Sequence, residues 1–371
     1  MKILWLEFEN LETGLRFERI KFNKDITLLV GLSGAGKTQI LNAIKYSITL
    51  IAGARAELCA YQMDMGILIG EDEYEWSYEI SKVSESELII SPESGYGFLF
   101  ESFKCNGKTI FERKNGKVEI TGYNKVPQPR KNESLISQYS EDKNIAVFAS
   151  EIQKLYSDRT GLEFREGVDS DWFRNMKHNI AIILKVKDNI QFSIFSQLPA
   201  ALKLYIVKRY FKEIYIKILD AVRELFNEIE DISVEEDAIK EEYIISIQVY
   251  GKKILQDNIS NGMLKTIYYL VELYTLAENS FVLIDEFENG LGVNCIDILS
   301  EFMFTERNDL QFIITSHHPK IINAIDKYKW KIIERTGSVV KNYDSIDFGI
   351  GNSQHDAYFN LLNRWEFERK I

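Results

Sequence analysis

Residues 31–38 combine residue types that can hold a phosphate group. Their sequence, Gly-Leu-Ser-Gly-Ala-Gly-Lys-Thr, satisfies the pattern G-x-x-x-x-G-K-[ST]. Glycines let successive backbone N–H groups curl around a phosphate, Lys37 can bridge the outer phosphates, and the Thr38 hydroxyl can bind magnesium. An apolar strand pattern precedes the motif and an amphipathic helix pattern follows it, so an ordinary glycine-rich turn is the weaker interpretation. We therefore predict a nucleotide site formed by Gly31, Ser33, Gly34, Ala35, Gly36, Lys37, Thr38 and Gln39.

Two carboxylates follow a second apolar segment. Residues 281–284 are apolar, and Asp285 and Glu286 come directly after them. A buried parallel strand here would bring both acids to the carboxyl edge of a sheet, where ligands bind in α/β proteins. Asp285 could then hold magnesium through water, and Glu286 could polarise a water molecule for attack on a phosphate. Many strands end in acids, so this prediction depends on the phosphate-binding motif in the same chain.

Two further short segments add serine, glycine and histidine to this set. Ser260 and Gly262 stand at the start of a predicted helix upstream of the acid pair, where Ser-Asn-Gly most often serves only as a helix cap. Residues 310–314 form another apolar strand pattern and lead into His317 and His318. Both histidines could also be solvent-facing loop residues, and this is the favoured interpretation for His318.

The order of these four motifs resembles that of the RecF, SMC and OLD (overcoming lysogenization defect) group of chromosome-associated ABC ATPases. The strand patterns near Ile3 and Ile20, and the run at residues 26–31 that leads into the phosphate-binding motif, are similar to theirs as well. The resemblance covers residues 1–55 and 255–325 and is loose between them. It implies that the ligand is ATP with Mg²⁺.

The resemblance also implies roles for particular residues. In that group a signature serine and glycine, here Ser260 and Gly262, contact the γ-phosphate bound by a second subunit, so hydrolysis depends on dimerisation. A switch histidine, here His317, reaches the γ-phosphate and the attacking water. A Q-loop glutamine contacts magnesium, and Gln138 is the candidate, although an exposed polar residue is an equal alternative.

Several features depart from the group. Ser33 stands where asparagine is common, and residues 287–292 lack the His-Pro continuation of OLD-like members. The predicted helical insert has no sustained heptads, which argues against a long SMC-type coiled coil. The short stretch after His318 leaves no room for the TOPRIM nuclease domain of OLD proteins, so we expect any nuclease to be a separate polypeptide.

The elements that must position these residues change in type along the chain. Alternation at Tyr74, Trp76 and Tyr78, with turn pairs downstream, predicts antiparallel hairpins within residues 65–125. Three- and four-residue spacing predicts helices over residues 146–232. The final third alternates strand and helix and closes with a helix at residues 356–365.

These patterns and the resemblance together predict an α/β fold: an ABC-ATPase (P-loop NTPase) head with a mixed, largely parallel sheet, an antiparallel β flank and a helical insert. The expected domains are ATPase lobe I at residues 1–145, the helical insert at 146–240 and ATPase lobe II at 241–371.

Composition limits the classes of partner. The chain has 45 Lys and Arg against 56 Asp and Glu, a net charge of −11, so it has no bulk attraction to a nucleic-acid backbone. Cys59, Cys105 and Cys295 are too widely spaced for a disulfide framework, and the four histidines lack a zinc-ligand spacing. No apolar run reaches about 18 residues, and an acid already occurs at Glu7, so we expect a cytoplasmic protein without a membrane segment.

The leading functional hypothesis is an ATPase that forms a homodimer or a higher homo-oligomer. It would act as the sensor or motor of an antiphage defence or DNA-maintenance system, together with a separate effector such as a nuclease or toxin. A transporter subunit is disfavoured because Ser260 lies much farther beyond Lys37 than in transporters. A kinase or GTPase would leave Ser260 and His317 unexplained, and the chain has no guanine-reading Asn-Lys-x-Asp sequence.

The alternative is a RecF-like, ATP-dependent DNA-binding clamp in DNA repair. Its phosphate contacts would come from the basic side chains of the helical insert, Lys203, Lys208, Arg209, Lys212 and Lys217. Such a run is more often the solvated face of a helix, so DNA as a partner stays open.

Overall fold

The computed structural model describes residues 1–56, 60–82, 95–114, 116–126, 128–158, 168–176, 178 and 198–347. Cys59 and the helix predicted at residues 356–365 lie outside the described residues. The chain packs as two units. Unit 1 contains Met1–Asp158, Asn279–Asp285 and the residues from Leu310 onward, and unit 2 contains Arg159–Glu278 and Glu286–Asp309. The three-part division expected from the sequence stays a prediction.

The strands of the described residues are β1 (Lys2–Asn10), β2 (Leu15–Lys21), β3 (Ile26–Val30), β4 (Tyr61–Ile69), β5 (Asp72–Lys82), β6 (Tyr96–Cys105), β7 (Lys108–Lys114), β8 (Lys117–Ile120), β9 (Tyr156–Asp158), β10 (Val168–Asp169), β11 (Ile229–Asp237), β12 (Glu242–Val249), β13 (Lys252–Leu255), β14 (Phe281–Ile284), β15 (Gln311–Thr315), β16 (Trp330–Thr336) and β17 (Val339–Asp344). The helices are α1 (Lys37–Ile51), α2 (Leu135–Gln138), α3 (Ala146–Leu155), α4 (Ala200–Tyr210), α5 (Lys212–Leu225), α6 (Asn261–Thr275), α7 (Val293–Glu301) and α8 (Pro319–Ala324). Residues 170–176 are helical as well.

Unit 1 is built on one mixed sheet, which in the described residues has the order β8-β7-β6-β5-β4-β1-β2-β17-β16-β3-β15-β14-β9. From β16 to β9 every neighbouring pair is parallel. From β8 to β2 every neighbouring pair is antiparallel. The expected fold class is therefore confirmed. Strand β17, which is parallel to β2 and antiparallel to β16, joins the antiparallel flank to the parallel half.

The three strands that carry the chemical motifs consist mainly of apolar residues because they are covered on both faces. All residues of β3, β14 and β15 are buried. Parallel strands in α/β proteins have helices on both faces, which removes the polar–apolar alternation of one-sided strands. In the antiparallel flank the alternation persists, and the β5 side chains Tyr74, Trp76, Tyr78 and Ile80 are all buried.

Unit 2 contains a small antiparallel sheet, in which β12 pairs with β10, β11 and β13. Helices α4, α5 and α6 pack on one another, and α4 also contacts β11. The prediction of helices over residues 146–232 is wrong at Tyr156–Asp158 and Val168–Asp169, which form strands β9 and β10. It is also wrong at its end, because residues 229–237 form strand β11 rather than helix. Its side chains at Ile229, Ile232 and Val234 pair along β12, and this long-range pairing outweighs the local helical spacing.

Candidate nucleotide-binding site

The phosphate-binding motif connects β3 to α1 under tight steric limits. A Cβ at Gly31 would lie 2.5 Å from the Ile333 carbonyl oxygen of β16, so only glycine fits there. Gly36 has φ +107°, and a Cβ there would lie 3.1 Å from the Phe17 ring and 3.3 Å from Val340. A left-handed backbone and close neighbours both demand glycine at this position. The neighbouring strands therefore hold the loop in shape.

Lys37 folds back over this loop. Its Nζ donates hydrogen bonds to the carbonyl oxygens of Gly31 at 2.9 Å and Leu32 at 3.0 Å, and the residue is only 6% exposed. Thr38 and Gln39 follow on the exposed side of the first turn of α1. This turn has no acidic residue and no side-chain cap, so its N–H groups and the positive end of the helix dipole can serve an anion.

The strand order places Asp285 at the same sheet edge as the phosphate-binding loop. Strand β15 lies between β3 and β14, parallel to both. The register pairs Ile284 with Ile314, so Asp285 and Thr315 stand side by side one residue later. The Thr315 hydroxyl donates a hydrogen bond to Oδ1 of Asp285. This contact orients the carboxylate, and no local sequence pattern signals it because the two residues lie 30 positions apart in the chain.

The oxygen donors at this edge fit a magnesium ion. Asp285 and Thr38 both belong to unit 1 and supply a carboxylate and a hydroxyl oxygen. Magnesium prefers hard oxygen ligands and is commonly held by one or two protein groups together with substrate phosphates and water. Asp285 is partly exposed and Thr38 is exposed, so both oxygens can be reached.

Glu286 begins unit 2 directly after Asp285. It is exposed and has φ +46°, a left-handed conformation that is uncommon for a residue with a side chain. The Asn289 N–H donates to the Glu286 carbonyl at 2.8 Å and closes a turn at this point. Such backbone conformations occur often at functional sites, where the surrounding structure holds them in place.

Ser260 and Gly262 lie at the start of α6 in unit 2. The exposed Ser260 is the N-cap, and its hydroxyl accepts a hydrogen bond from the Met263 N–H at 3.3 Å. A Cβ at Gly262 would lie 3.3 Å from the Gly292 nitrogen, so the helix start packs directly on the turn after Glu286. Within one chain Ser260 therefore acts as the helix cap that its sequence predicts, and its contact with a second subunit stays a prediction.

Lys265 links these two segments of unit 2. Its Nζ donates to the Asn289 carbonyl oxygen, and the side chain also lies over the Tyr269 ring. Burial lowers the pKa of Lys265 from its usual 10.5 to about 8, although Glu288 and Glu286 act in the opposite direction. Lys265 is not among the site residues predicted from the sequence.

The two histidines after β15 have different surroundings. Nδ1 of His318 accepts a hydrogen bond from the Lys320 N–H at 3.2 Å and caps α8, so its imidazole has a local structural role. His317 is exposed on the preceding loop. The role of His317 at a ligand stays a prediction, because its exposure also fits a solvent-facing loop residue.

The family of the chain is shown by its sequence. Residues 26–323, which include all four motifs, match the family described as "AAA domain, putative AbiEii toxin, Type IV TA system". The chain is a member of this AAA-domain family. No curated protein matches the chain in sequence.

Solved structures show which fold this AAA-domain protein shares. An SMC head bound to the C-winged helix domain of ScpA is 14% identical, with a TM-score of 0.50 over 92% of this chain and 98% of that one. An SMC head with an extended coiled coil, bound to the C-terminal domain of ScpA derived from Pyrococcus furiosus, is 13% identical, with a TM-score of 0.53 over 92% of this chain and 96% of that one. The fold is that of an SMC-head-like ABC ATPase.

Gln138 is bound to its own loop. Its Oε1 accepts from the Arg130 N–H at 2.7 Å, and its Nε2 donates to the carbonyls of Arg130 at 3.0 Å and Glu133 at 2.9 Å. Arg113 donates to carbonyls of the same loop and forms a buried ion pair with Glu101. A contact between Gln138 and magnesium stays a prediction, and it would require these three hydrogen bonds to break.

The prediction that the basic residues of the helical insert share an exposed surface is wrong for Lys203. This residue is fully buried and forms an ion pair with Glu272 of α6. Lys208 is half-buried and pairs with Asp231. Arg209, Lys212 and Lys217 are exposed.

Within the described residues, no helix is both long and apolar enough to cross a membrane.

Proposed function

We propose that this AAA-domain protein hydrolyses ATP in a site that a second copy of the chain completes. The observation that supports hydrolysis most directly is the arrangement at the sheet edge of unit 1. The phosphate-binding loop after β3 and the carboxylate after β14 lie on either side of β15, and Thr315 orients that carboxylate. This is the arrangement that phosphoryl transfer needs, because its catalysis is mainly positioning and charge stabilisation.

The residues of the chain would divide this work. Lys37 would exchange the carbonyl oxygens of Gly31 and Leu32 for the outer phosphate oxygens, and the N–H groups at the start of α1 would bind the other phosphate oxygens. Mg²⁺, held by Thr38 and Asp285, would supply positive charge at the transferred phosphate. Glu286 would accept a proton from the attacking water, and His317 would donate a hydrogen bond to the γ-phosphate.

The second subunit enters through the start of α6. Ser260 and Gly262 stand at the amino terminus of a 15-residue helix, and Ser260 is exposed. A hydroxyl, an N–H and a helix dipole at one exposed point suit a phosphate presented by another molecule. In a dimer with twofold symmetry each chain would supply one such helix start, so two nucleotides would lie between the subunits.

The biological role that we propose is a sensor or motor working with a separate effector. The family description names a toxin of a type IV toxin–antitoxin system, and this supports a role in defence. The SMC heads of similar fold are bound to ScpA domains, which supports a protein partner. A DNA clamp is less well supported, because Lys203 is buried and Lys208 is paired, which leaves three of the five basic residues exposed.

Mixing two inactive variants tests the shared site. Lys37→Ala disables the phosphate-binding loop, and Ser260→Arg blocks the exposed start of α6. In a mixed dimer the intact loop of one chain meets the intact helix start of the other. The other site of the mixed dimer carries both changes and stays inactive. Random pairing makes roughly half of the dimers mixed, and each mixed dimer has one intact site of two, so an equal mixture should regain roughly a quarter of the wild-type activity.

The matched control mixes Lys37→Ala with Glu286→Gln. Both residues act on the nucleotide of their own chain, so each site in this mixed dimer is damaged and no activity returns. Absence of rescue in the first mixture, with both variants folded and able to exchange subunits, would show that each chain forms its site alone.

A further inference from the structure

A cavity of about 360 Å³ lies beside the phosphate-binding loop in unit 1. Four residues of the loop, 32–35, form one side, and the last four residues of β16, 333–336, form the other together with Gly337 of the following turn. Small-ligand sites have volumes of roughly 300–1,000 Å³, so this cavity is large enough for part of a nucleotide. Residues 333–337 are not among the site residues predicted from the sequence.

The cavity and the proposed metal-binding residue Asp285 lie on opposite sides of β3, and this arrangement determines which part of the nucleotide the cavity can bind. Strand β3 has β15 and then β14, with Asp285 at its end, on one side, and β16 on the other. The outer phosphates and their metal must lie towards Asp285. The nucleoside end of the molecule therefore leaves the loop in the other direction, along β16. The cavity lies on that side.

We infer that this cavity binds the base and ribose of the nucleotide, with the Arg335 guanidinium stacked on the base. The inference rests on the proposed function, because it concerns the other end of the same ligand. Nε of Arg335 donates a hydrogen bond to the Gly337 carbonyl oxygen at 2.9 Å, and this contact ties the guanidinium to the β16–β17 turn. Gly337 has φ +62°, as such a turn requires.

The chemistry of the lining suits a nucleoside. Arg335 is exposed, and a planar guanidinium held by its own turn can cover one face of a heteroaromatic ring. The Glu334 carboxylate and the Thr336 hydroxyl are oxygens that can accept hydrogen bonds from ribose hydroxyl groups. Stacking accepts any base, so Arg335 recognises a nucleoside rather than adenine in particular.

Two ligands that share the phosphate groups but differ in the nucleoside can distinguish binding in this cavity from binding at the phosphate site. The imido analogue of ATP, which is not hydrolysed, carries phosphates and a nucleoside, whereas inorganic tripolyphosphate carries phosphates alone. Calorimetric titration of the full chain with each ligand, in the presence of Mg²⁺, measures both affinities. Arg335→Ala should lower the affinity for the analogue roughly 3- to 30-fold and leave the affinity for tripolyphosphate unchanged.

Two control variants make the result specific. Arg335→Lys keeps the positive charge but not the planar group. It should therefore also lower the affinity for the analogue without changing the affinity for tripolyphosphate. Arg174→Ala removes an exposed arginine from unit 2 and should change neither affinity. If Arg335→Ala lowers the affinity for both ligands equally, Arg335 acts only through its charge. If the affinity for the analogue is unchanged, the base binds elsewhere. Either result overturns the inference.

The proposed function fails in a different way. If wild-type protein binds neither ligand, the phosphate site itself is wrong and the nucleoside subsite is wrong with it. If wild-type protein binds tripolyphosphate as tightly as the analogue, the phosphate site stands and the nucleoside subsite does not.

Discussion

The Thr315 hydroxyl donates a hydrogen bond to Oδ1 of Asp285 between the adjacent carboxyl ends of β15 and β14. Thr315 is 1% exposed, so its side chain has little freedom to turn away. The contact joins residues that are 30 positions apart in the chain. It makes Thr315 a positioning residue for the proposed metal carboxylate.

Thr315→Val should therefore impair metal use while leaving the fold intact, because valine has nearly the same shape and lacks only the hydroxyl. Loss of a group that orients a metal ligand typically costs about 10- to 100-fold in metal affinity or activity. The measurement is ATP turnover as a function of Mg²⁺ concentration, and the half-saturating concentration should rise. Thr275→Val, which removes a buried hydroxyl from α6, is the control. Identical magnesium curves for Thr315→Val and wild type would contradict the positioning role.

Glu286→Gln should separate nucleotide binding from hydrolysis. The amide keeps the size of the carboxylate but cannot accept a proton from water, and a general base typically contributes about 10²- to 10⁴-fold to the rate. Turnover should fall by that amount while the imido analogue of ATP still binds. Lys37→Ala should instead abolish nucleotide binding. Glu278→Gln, at an exposed position, is the control. Turnover by Glu286→Gln within a few-fold of wild type would exclude Glu286 as the base.

Lys265 should make the stability of the fold depend on pH. Its pKa is about 8 in the folded protein because of burial, against 10.5 ordinarily. Between these values the unfolded chain binds more protons than the folded one, so stability should rise as pH increases from 8 to 10.5.

Lys265→Met removes this contribution. The melting temperature of the wild type should therefore increase relative to that of the variant over the same pH range, measured by thermal unfolding at several pH values. Lys212→Met, which changes an exposed lysine of unit 2, should leave the wild-type pH profile unchanged. Parallel profiles for wild type and Lys265→Met would show that this lysine titrates normally.

Lys203 and Glu272 should stabilise unit 2 only as a pair. Both are almost completely buried, and they join α4 to α6, the helix that begins at Ser260. Lys203→Met leaves the Glu272 charge without its partner and should cost about 3–5 kcal/mol in the free energy of unfolding. The double variant Lys203→Met/Glu272→Leu should recover most of that loss, as urea denaturation would show. A double variant as unstable as the single one would mean that the ion pair is not the cause.

Much of the proposed phosphate site was predictable because its signal is local. The spacing of Gly31, Gly36, Lys37 and Thr38 is a property of eight consecutive residues, and each glycine meets a steric limit in the structure. The mainly apolar composition of β3, β14 and β15 is also a local signal, because strands covered on both faces lack a polar–apolar alternation. The cap at Ser260 likewise follows from the first turn of one helix.

The tertiary structure decided every relationship between distant segments. Sheet order placed Thr315 beside Asp285 and the end of β16 beside the phosphate-binding loop. Packing of α4 on α6 buried Lys203, which helical spacing alone had placed on a basic surface. A sequence pattern reports which face of one element is apolar, but the partner of that face depends on contacts between residues far apart in the chain. The phosphate-binding loop and the strands that carry the motifs can therefore be recognised from local residue order, whereas the surroundings of each side chain depend on how those elements pack.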